Sequence, residues 1–236
     1  MRLENPAMIV PAAGFFFRLQ RTIGYPDAVL SGRIHQKMDN YEQIIKENLA
    51  RLFKNMPDHL DHLLPGQSRS DQIIFKAFGN LCRIGPDEIT VGGKTETGVI
   101  GILISLYALH ASAEPCIPTP YKAYRELPSS TPYADAFTSH AEHILIPHIG
   151  KIEENLDLIF QTLNGEPGIG SEGGDFSLVV RPFPKIKLNY IFYLADDEFP
   201  ASATCLFSNN ALSFLPIDAL ADTGEYTSKK IIDLIS

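Results

Sequence analysis

The sequence predicts an α+β fold, with a mainly antiparallel sheet drawn from the C-terminal half and helices packed on one face. Three observations carry that prediction. Strand-like and helix-like stretches come in runs rather than in strict alternation, which argues against a doubly wound parallel sheet. The strongest strand signal, "KIKLNYIFYLA", sets Ile186, Leu188, Tyr190, Phe192 and Leu194 against Lys185, Lys187 and Asn189, the period-two pattern of a strand with one buried face. The helical signals, "MDNYEQIIKENLARLFKN" early and "SKKIIDLI" at the end, repeat their apolar residues three and four apart.

Taken in chain order, residues 1–37 mix Pro, Gly and Arg without a sustained period. They read as a poorly ordered extension, with Met38 as the functional start and one domain over 39–235. The alternative is that "AAGFFFRL" docks as an extra strand. The helix that opens at Met38 has Asp39 or Asn40 as cap and Glu42 in its first turn, and buries Ile44, Ile45, Leu49, Leu52 and Phe53. "DHLDHLL" is a short helical piece. "DQIIFKAFGNLCRI" reads as a β-hairpin turning at Gly79-Asn80. "DEITVGGKTETG" leads into a helix over 99–110, with Thr95 or Thr97 as cap.

"PCIPTPYKAYRELPSSTPY" is extended or turn-forming, because proline is dense in it. Two helices follow, about 133–147 and 151–163, broken near Pro147 and Gly150. "FSLVVRPF" and "KIKLNYIFYLA" are strands, and "SATCLFS" reads as another strand, with helix as the alternative. The chain closes with "PIDALADTG", a short helix stopped by Gly224, and the amphipathic "SKKIIDLI" helix.

Charge and composition exclude several functions. The 236 residues carry a net charge of −8. The first 37 residues hold five basic against two acidic side chains, so the remainder carries −11. A body this acidic repels a phosphate backbone, and no basic cluster interleaved with aromatics offsets that repulsion, so nucleic acid is not the expected partner. The longest apolar run, "VIGILISLYAL", is too short for the ~20 residues of a bilayer span, and no membrane partner is expected. Cys82, Cys116 and Cys205 are far apart with no C-x-x-C spacing. They form neither a disulfide framework nor a thiolate cluster, and they suit a reducing cytoplasm.

The segment "GGDFSLVVRPFPKIKLNYIFYLADDEFPASATCLFSNNALSFLPIDALADTG" resembles the C-terminal half of a bacterial and archaeal family, domain of unknown function 3786. "YKAYRELPSSTPYADAF" resembles the middle of that family and "NYEQIIKENLARL" its opening helix. The sharply specific part is the acidic "DDEFPA" stretch. The resemblance covers about 39–235 and implies no catalytic residue. Some relatives look fused or adjacent to cysteine-rich Fe–S segments of the corrinoid one-carbon type, so the resemblance implies a link to anaerobic cofactor metabolism. This chain lacks such a segment.

Within the specific stretch, Asp196, Asp197 and Glu198 close an apolar strand. Strand alternation would place Asp196 and Glu198 on one face and Asp197 on the other. Two convergent carboxylates can hold Mg²⁺ or Ca²⁺, receive a basic partner, or share a proton. The plainer reading is a solvated turn in which Phe199 plugs the core and Pro200 stops pairing. In "HAEHILIPH", His140 and His143 are three apart on one helical face, a spacing found among zinc ligands and also on ordinary surfaces. His59 and His62 repeat that spacing more weakly.

Tyr121, Tyr124 and Tyr133, with Lys122 and Arg125, offer recognition area for a protein partner or planar ligand, or else pin a crossing loop. "VGGKTETG" ends like a phosphate-binding loop at Gly93-Lys94-Thr95, but Glu88 stands where that loop needs glycine. The glycines of "GEPGIGSEGG" follow a helix and precede a strand, the reverse of a dinucleotide site.

These features favour a cytoplasmic accessory or binding protein, linked by the resemblance to corrinoid or one-carbon metabolism, which holds a protein partner or a small-molecule cofactor. Two alternatives stand beside it. One is a metal-dependent enzyme using Asp196 and Glu198 with His140 or His143. The other is a plain interaction module with an exposed apolar patch over 121–133.

Overall fold

Helix α1 (Ala28–Lys54) starts well ahead of Met38, so Asp39 and Asn40 lie inside it and neither caps it. The protein is described here by a computed structural model covering residues 28–168 and 173–236, with side chains from residue 40 onward. Residues 1–27, which hold most of the poorly ordered extension read over 1–37 and its alternative, an extra strand at "AAGFFFRL", fall outside the described residues, as does part of the glycine-rich loop at 169–172. Helix α1 packs on α3 (Val99–Leu109). The approach is close: a Cβ on Gly101 would lie 2.6 Å from Ile45 Cδ1. A buried bond from Asn48 Nδ2 to Ser105 Oγ, 2.9 Å, fixes the pairing. Neither Thr95 nor Thr97 caps α3. Gly98 is the cap residue, and its N–H donates to Glu96 Oε1 at 2.8 Å, which sets a carboxylate at the positive end of the helix.

Between these helices lie a single turn, α2 (Leu60–Leu63), and a complete antiparallel sheet. Its strands are β1 (Gln67–Arg69), β2 (Gln72–Ala77), β3 (Asn80–Ile84), β4 (Ile89–Val91) and β5 (Lys94–Thr95), paired in chain order. The expected hairpin is thus the middle of a sheet of its own. Two of its turns have two residues with left-handed φ, Phe78-Gly79 (50° and 78°) and Gly92-Gly93 (59° and 81°), as tight hairpins with right-handed twist require. Gly93-Lys94-Thr95 is therefore a hairpin turn and a short strand, not a phosphate cradle opening a helix.

The second sheet has the order β6-β10-β9-β8-β7 and is antiparallel throughout. Its members are β6 (Lys122–Ala123), β7 (Glu166–Pro167), β8 (Phe176–Phe183), β9 (Ile186–Tyr193) and β10 (Ser202–Phe207). Burial in β9 does not alternate: Asn189 and Ile191 are buried along with Leu188, Tyr190 and Phe192. The middle of this sheet is shielded on both faces, beyond the single buried face that the alternating lysines suggested. The two sheets meet where the Phe78 N–H donates to Pro182 O at 2.8 Å. There the Phe78 ring lies edge-on to Phe183 and Tyr226.

The two helices expected over 133–163 are in fact one continuous run of changing pitch followed by a break. α4 (Ala134–Phe137) passes into a π turn (Thr138–Glu142), a 3₁₀ segment (His143–His148) and α5 (Ile149–Glu154). Pro147 is absorbed in the 3₁₀ segment, Gly150 continues the helix, and the break falls at Asn155, ahead of α6 (Leu156–Leu163).

Gly224 does not stop a helix either. α7 runs unbroken from Ile217 to Leu234. A Cβ on Gly224 would sit 2.5 Å from Phe137 Cε2, so the residue is small to admit an aromatic ring. Around that contact the core assembles: Tyr124 stacks on Phe137 at 4.4 Å, and Phe137 meets Phe207 at 5.6 Å. The Tyr190 hydroxyl bonds Ser228 Oγ on α7.

Candidate functional site

Strand β9 ends at Tyr193, so Asp196, Asp197 and Glu198 stand in the connection to β10 and all three are exposed. The strand alternation that would pair Asp196 with Glu198 does not apply there. Asp196 Oδ1 accepts from the Phe199 N–H at 2.7 Å and from the Glu198 N–H at 2.8 Å. Its own N–H donates to Phe199 O at 3.0 Å. The Phe199 and Glu198 amides hold the Asp196 carboxyl below the usual aspartate range. Asp196 is therefore the clasp of the turn, and Asp197 and Glu198 are left facing solvent.

Phe199 was expected to plug the core. It is instead 66% exposed, and Tyr193 and Leu194 beside it are 41% and 44% exposed. The start of the connection is clasped too: Asp175 Oδ2 accepts from the Leu194 N–H at 2.6 Å, and the Asp175 N–H donates to Phe192 O. The backbone is tied at both ends by its acids, so the apolar side chains are held outward. An exposed aromatic on a turn that also carries three acidic residues is the makeup of a contact surface.

The tyrosine segment divides. Tyr124 is buried and its hydroxyl donates to Ile217 O at 2.9 Å, which makes it a pin between the crossing segment and α7. Tyr121 and Tyr133 are half-buried and Arg125 is exposed. No tyrosine of 121–133 is among the exposed large apolar side chains; the nearest is Ile117. The expected apolar patch over 121–133 is thus absent among the described residues, because these rings turn inward. What this segment borders is a cleft of about 150 Å³, lined by Tyr124, Phe137 and Thr204, with Arg125 and Glu142 supplying opposite charges. Glu142 Oε1 accepts from the Cys205 N–H at 3.0 Å, which ties the π turn to β10.

His140 is half-buried in the π turn and His143 is exposed at the start of the 3₁₀ segment. Their expected common face presumed a regular 3.6-residue pitch, which this run does not keep. Among the described residues neither belongs to a group of three His, Cys, Asp or Glu whose ligand atoms converge, and neither do Asp196 and Glu198.

A feature missed in the sequence is a row of buried carboxylates on α7: Asp218, Asp222 and Glu225, each under 10% exposed. Burial, then the charges of Glu225 and Asp218, push the Asp222 carboxyl up to about 8. Asp222 Oδ1 is buried with no hydrogen-bond partner among the described residues. Burial and the Asp222 charge likewise raise the Tyr41 hydroxyl to about 12. Glu225 is paired with Lys229. The signal was present: positions 218, 222 and 225 share a helical face, but only if the helix runs through Gly224.

No helix of the described residues is long and apolar enough to cross a membrane. The family model "Domain of unknown function (DUF3786)" matches residues 57–230, which include the hairpin sheet, the tyrosine segment, the acidic turn and most of α7. No curated protein and no solved structure gives a significant match.

Proposed function

We propose, for a chain that belongs to the DUF3786 family, the role of an accessory protein that docks a basic protein partner through the loop 193–200. The supporting observation is the display of Phe199, 66% exposed on a turn clasped by Asp196. An aromatic held outward by a preorganised backbone loses little entropy on binding, which is what makes such residues anchors. Asp197 and Glu198 beside it favour a partner with a cationic rim around an apolar pocket. The three free thiols, two of them buried, suit a cytoplasmic home. A setting in corrinoid or one-carbon metabolism is the part of this reading that rests on the family resemblance alone.

A metal-dependent enzyme built on Asp196 and Glu198 is the weaker reading, because among the described residues their carboxylates join no group of converging ligand atoms, and Asp196 Oδ1 is engaged in closing the turn. The test is co-purification from the native source, followed by native mass spectrometry. A stoichiometric partner should remain on the wild-type chain, leave with rising salt, and be lost in both Phe199→Ala and Glu198→Lys. Retention of the partner by both variants would end this reading.

A further inference from the structure

We infer that His59, Asp61 and His62 form a surface site for a divalent transition ion of the zinc type. Their ligand atoms all lie within 4.8 Å of one another. The two imidazoles are nearly parallel, at 12°, with centroids 5.6 Å apart, and His62 Nε2 is 3.9 Å from Asp61 Oδ2. Neutral imidazole nitrogens and a carboxylate oxygen are the donor set of open zinc sites, in which three protein ligands leave one position for water or a small ligand.

Tetrahedral coordination with metal–donor distances of about 2.0–2.2 Å places donors about 3.4 Å apart. The cluster must therefore contract by little more than an ångström. His59 and His62 can supply that movement by side-chain rotation, since both are exposed.

The backbone beneath them is firm. Leu60 and Leu64 are buried in the core, so the α2 turn is pinned on its inner side and presents His59 and His62 outward with Asp61 half-buried beside them. His59 adopts a left-handed φ of 57°, a region in which His, like Asn and Asp, is enriched among non-glycine residues. In that conformation its carbonyl accepts from the N–H groups of both His62 and Leu63, which keeps the two histidines in register. The site is separate from the docking loop in the chain order of the fold: 59–62 precedes the first sheet, whereas 193–200 joins β9 to β10 of the second.

The experiment is titration of the untagged full chain with Zn²⁺ against a chromophoric chelator at neutral pH. The wild type should bind one ion, and His59→Asn or His62→Gln should weaken it about tenfold or more. Asn at 59 tolerates the left-handed backbone, so the variant keeps the turn. His140→Ala/His143→Ala should leave the affinity unchanged. The inference is overturned if the wild type takes up no ion, if the two α2 variants bind as tightly as wild type, or if the His140/His143 variant is the one that loses binding.

Discussion

Asp196 and Phe199 grip each other twice: the Phe199 N–H donates to Asp196 Oδ1 at 2.7 Å, and the Asp196 N–H donates to Phe199 O at 3.0 Å. This reciprocal pair turns the chain and leaves the Phe199 ring outside. It makes the side chain of Asp196 and the ring of Phe199 separable in function. Asp196→Ala should loosen the turn and weaken docking, whereas Asp196→Asn, whose amide oxygen accepts the same bonds, should retain most of it. Phe199→Ala should abolish docking without lowering the melting temperature, since the ring is largely in solvent. Calorimetric binding to the identified partner, beside thermal melts, checks both; a Phe199→Ala protein that melts clearly lower would place the ring in the core after all.

Two glycines in helices should respond oppositely to alanine. At Gly150 in α5 a Cβ meets nothing within 4 Å, so alanine should stabilise by about 0.5–1 kcal/mol through helix propensity. At Gly224 the same gain of about 1 kcal/mol opposes a clash at 2.5 Å with the Phe137 ring. Overpacking of a dense core costs about 1–3 kcal/mol, so the clash wins and Gly224→Ala should destabilise. Chemical denaturation of the two variants decides the matter.

The Asp222 carboxyl sets a pH dependence. Its folded pKa is raised from 3.8 to about 8, so between these values the folded chain holds a proton that the unfolded chain has released. Stability contributed by this group therefore falls as pH rises from about 4 to 8, by at most about 1.4 kcal/mol per unit. Above 8 both states are ionised and the slope vanishes. Asp222→Asn should gain stability relative to wild type as pH rises from 5 to 8.5. Parallel stability curves for the two proteins would refute this.

Asn48→Ala should cost about 1–3 kcal/mol, because it removes the buried bond to Ser105 Oγ that joins α1 to α3. Hydrogen exchange should then rise in α1 more than in the second sheet. An unchanged α1 would mean that its apolar face alone holds it.

What was legible in the sequence follows from the range of the interactions involved. The hairpin around Gly79, the C-terminal strands and helix α3 are local matters of apolar period and turn residues, and they stand where the sequence puts them. The length of α7 was not legible. Gly224 is a helix stop by local propensity, and only the Phe137 ring pressed against it gives another reason for a glycine. With the helix divided there, the shared face of Asp218, Asp222 and Glu225 was hidden as well.

The acidic stretch shows the same division. Its resemblance to the family pattern marked it as the most specific part of the chain. Which side of the turn Phe199 would take depended on the two bonds to Asp196, and these depend on a backbone conformation that no side-chain period encodes. His59, Asp61 and His62 are neighbours in the chain, yet their convergence rests on Leu60 and Leu64 being anchored in a core supplied by distant strands. By itself the sequence determined the α+β class, the antiparallel pairing and the net negative charge of the chain, because apolar period and charge act locally and additively. Which side chains face solvent, and which carboxylates lie buried together, was decided by the tertiary structure, because burial depends on contacts between segments far apart in the chain.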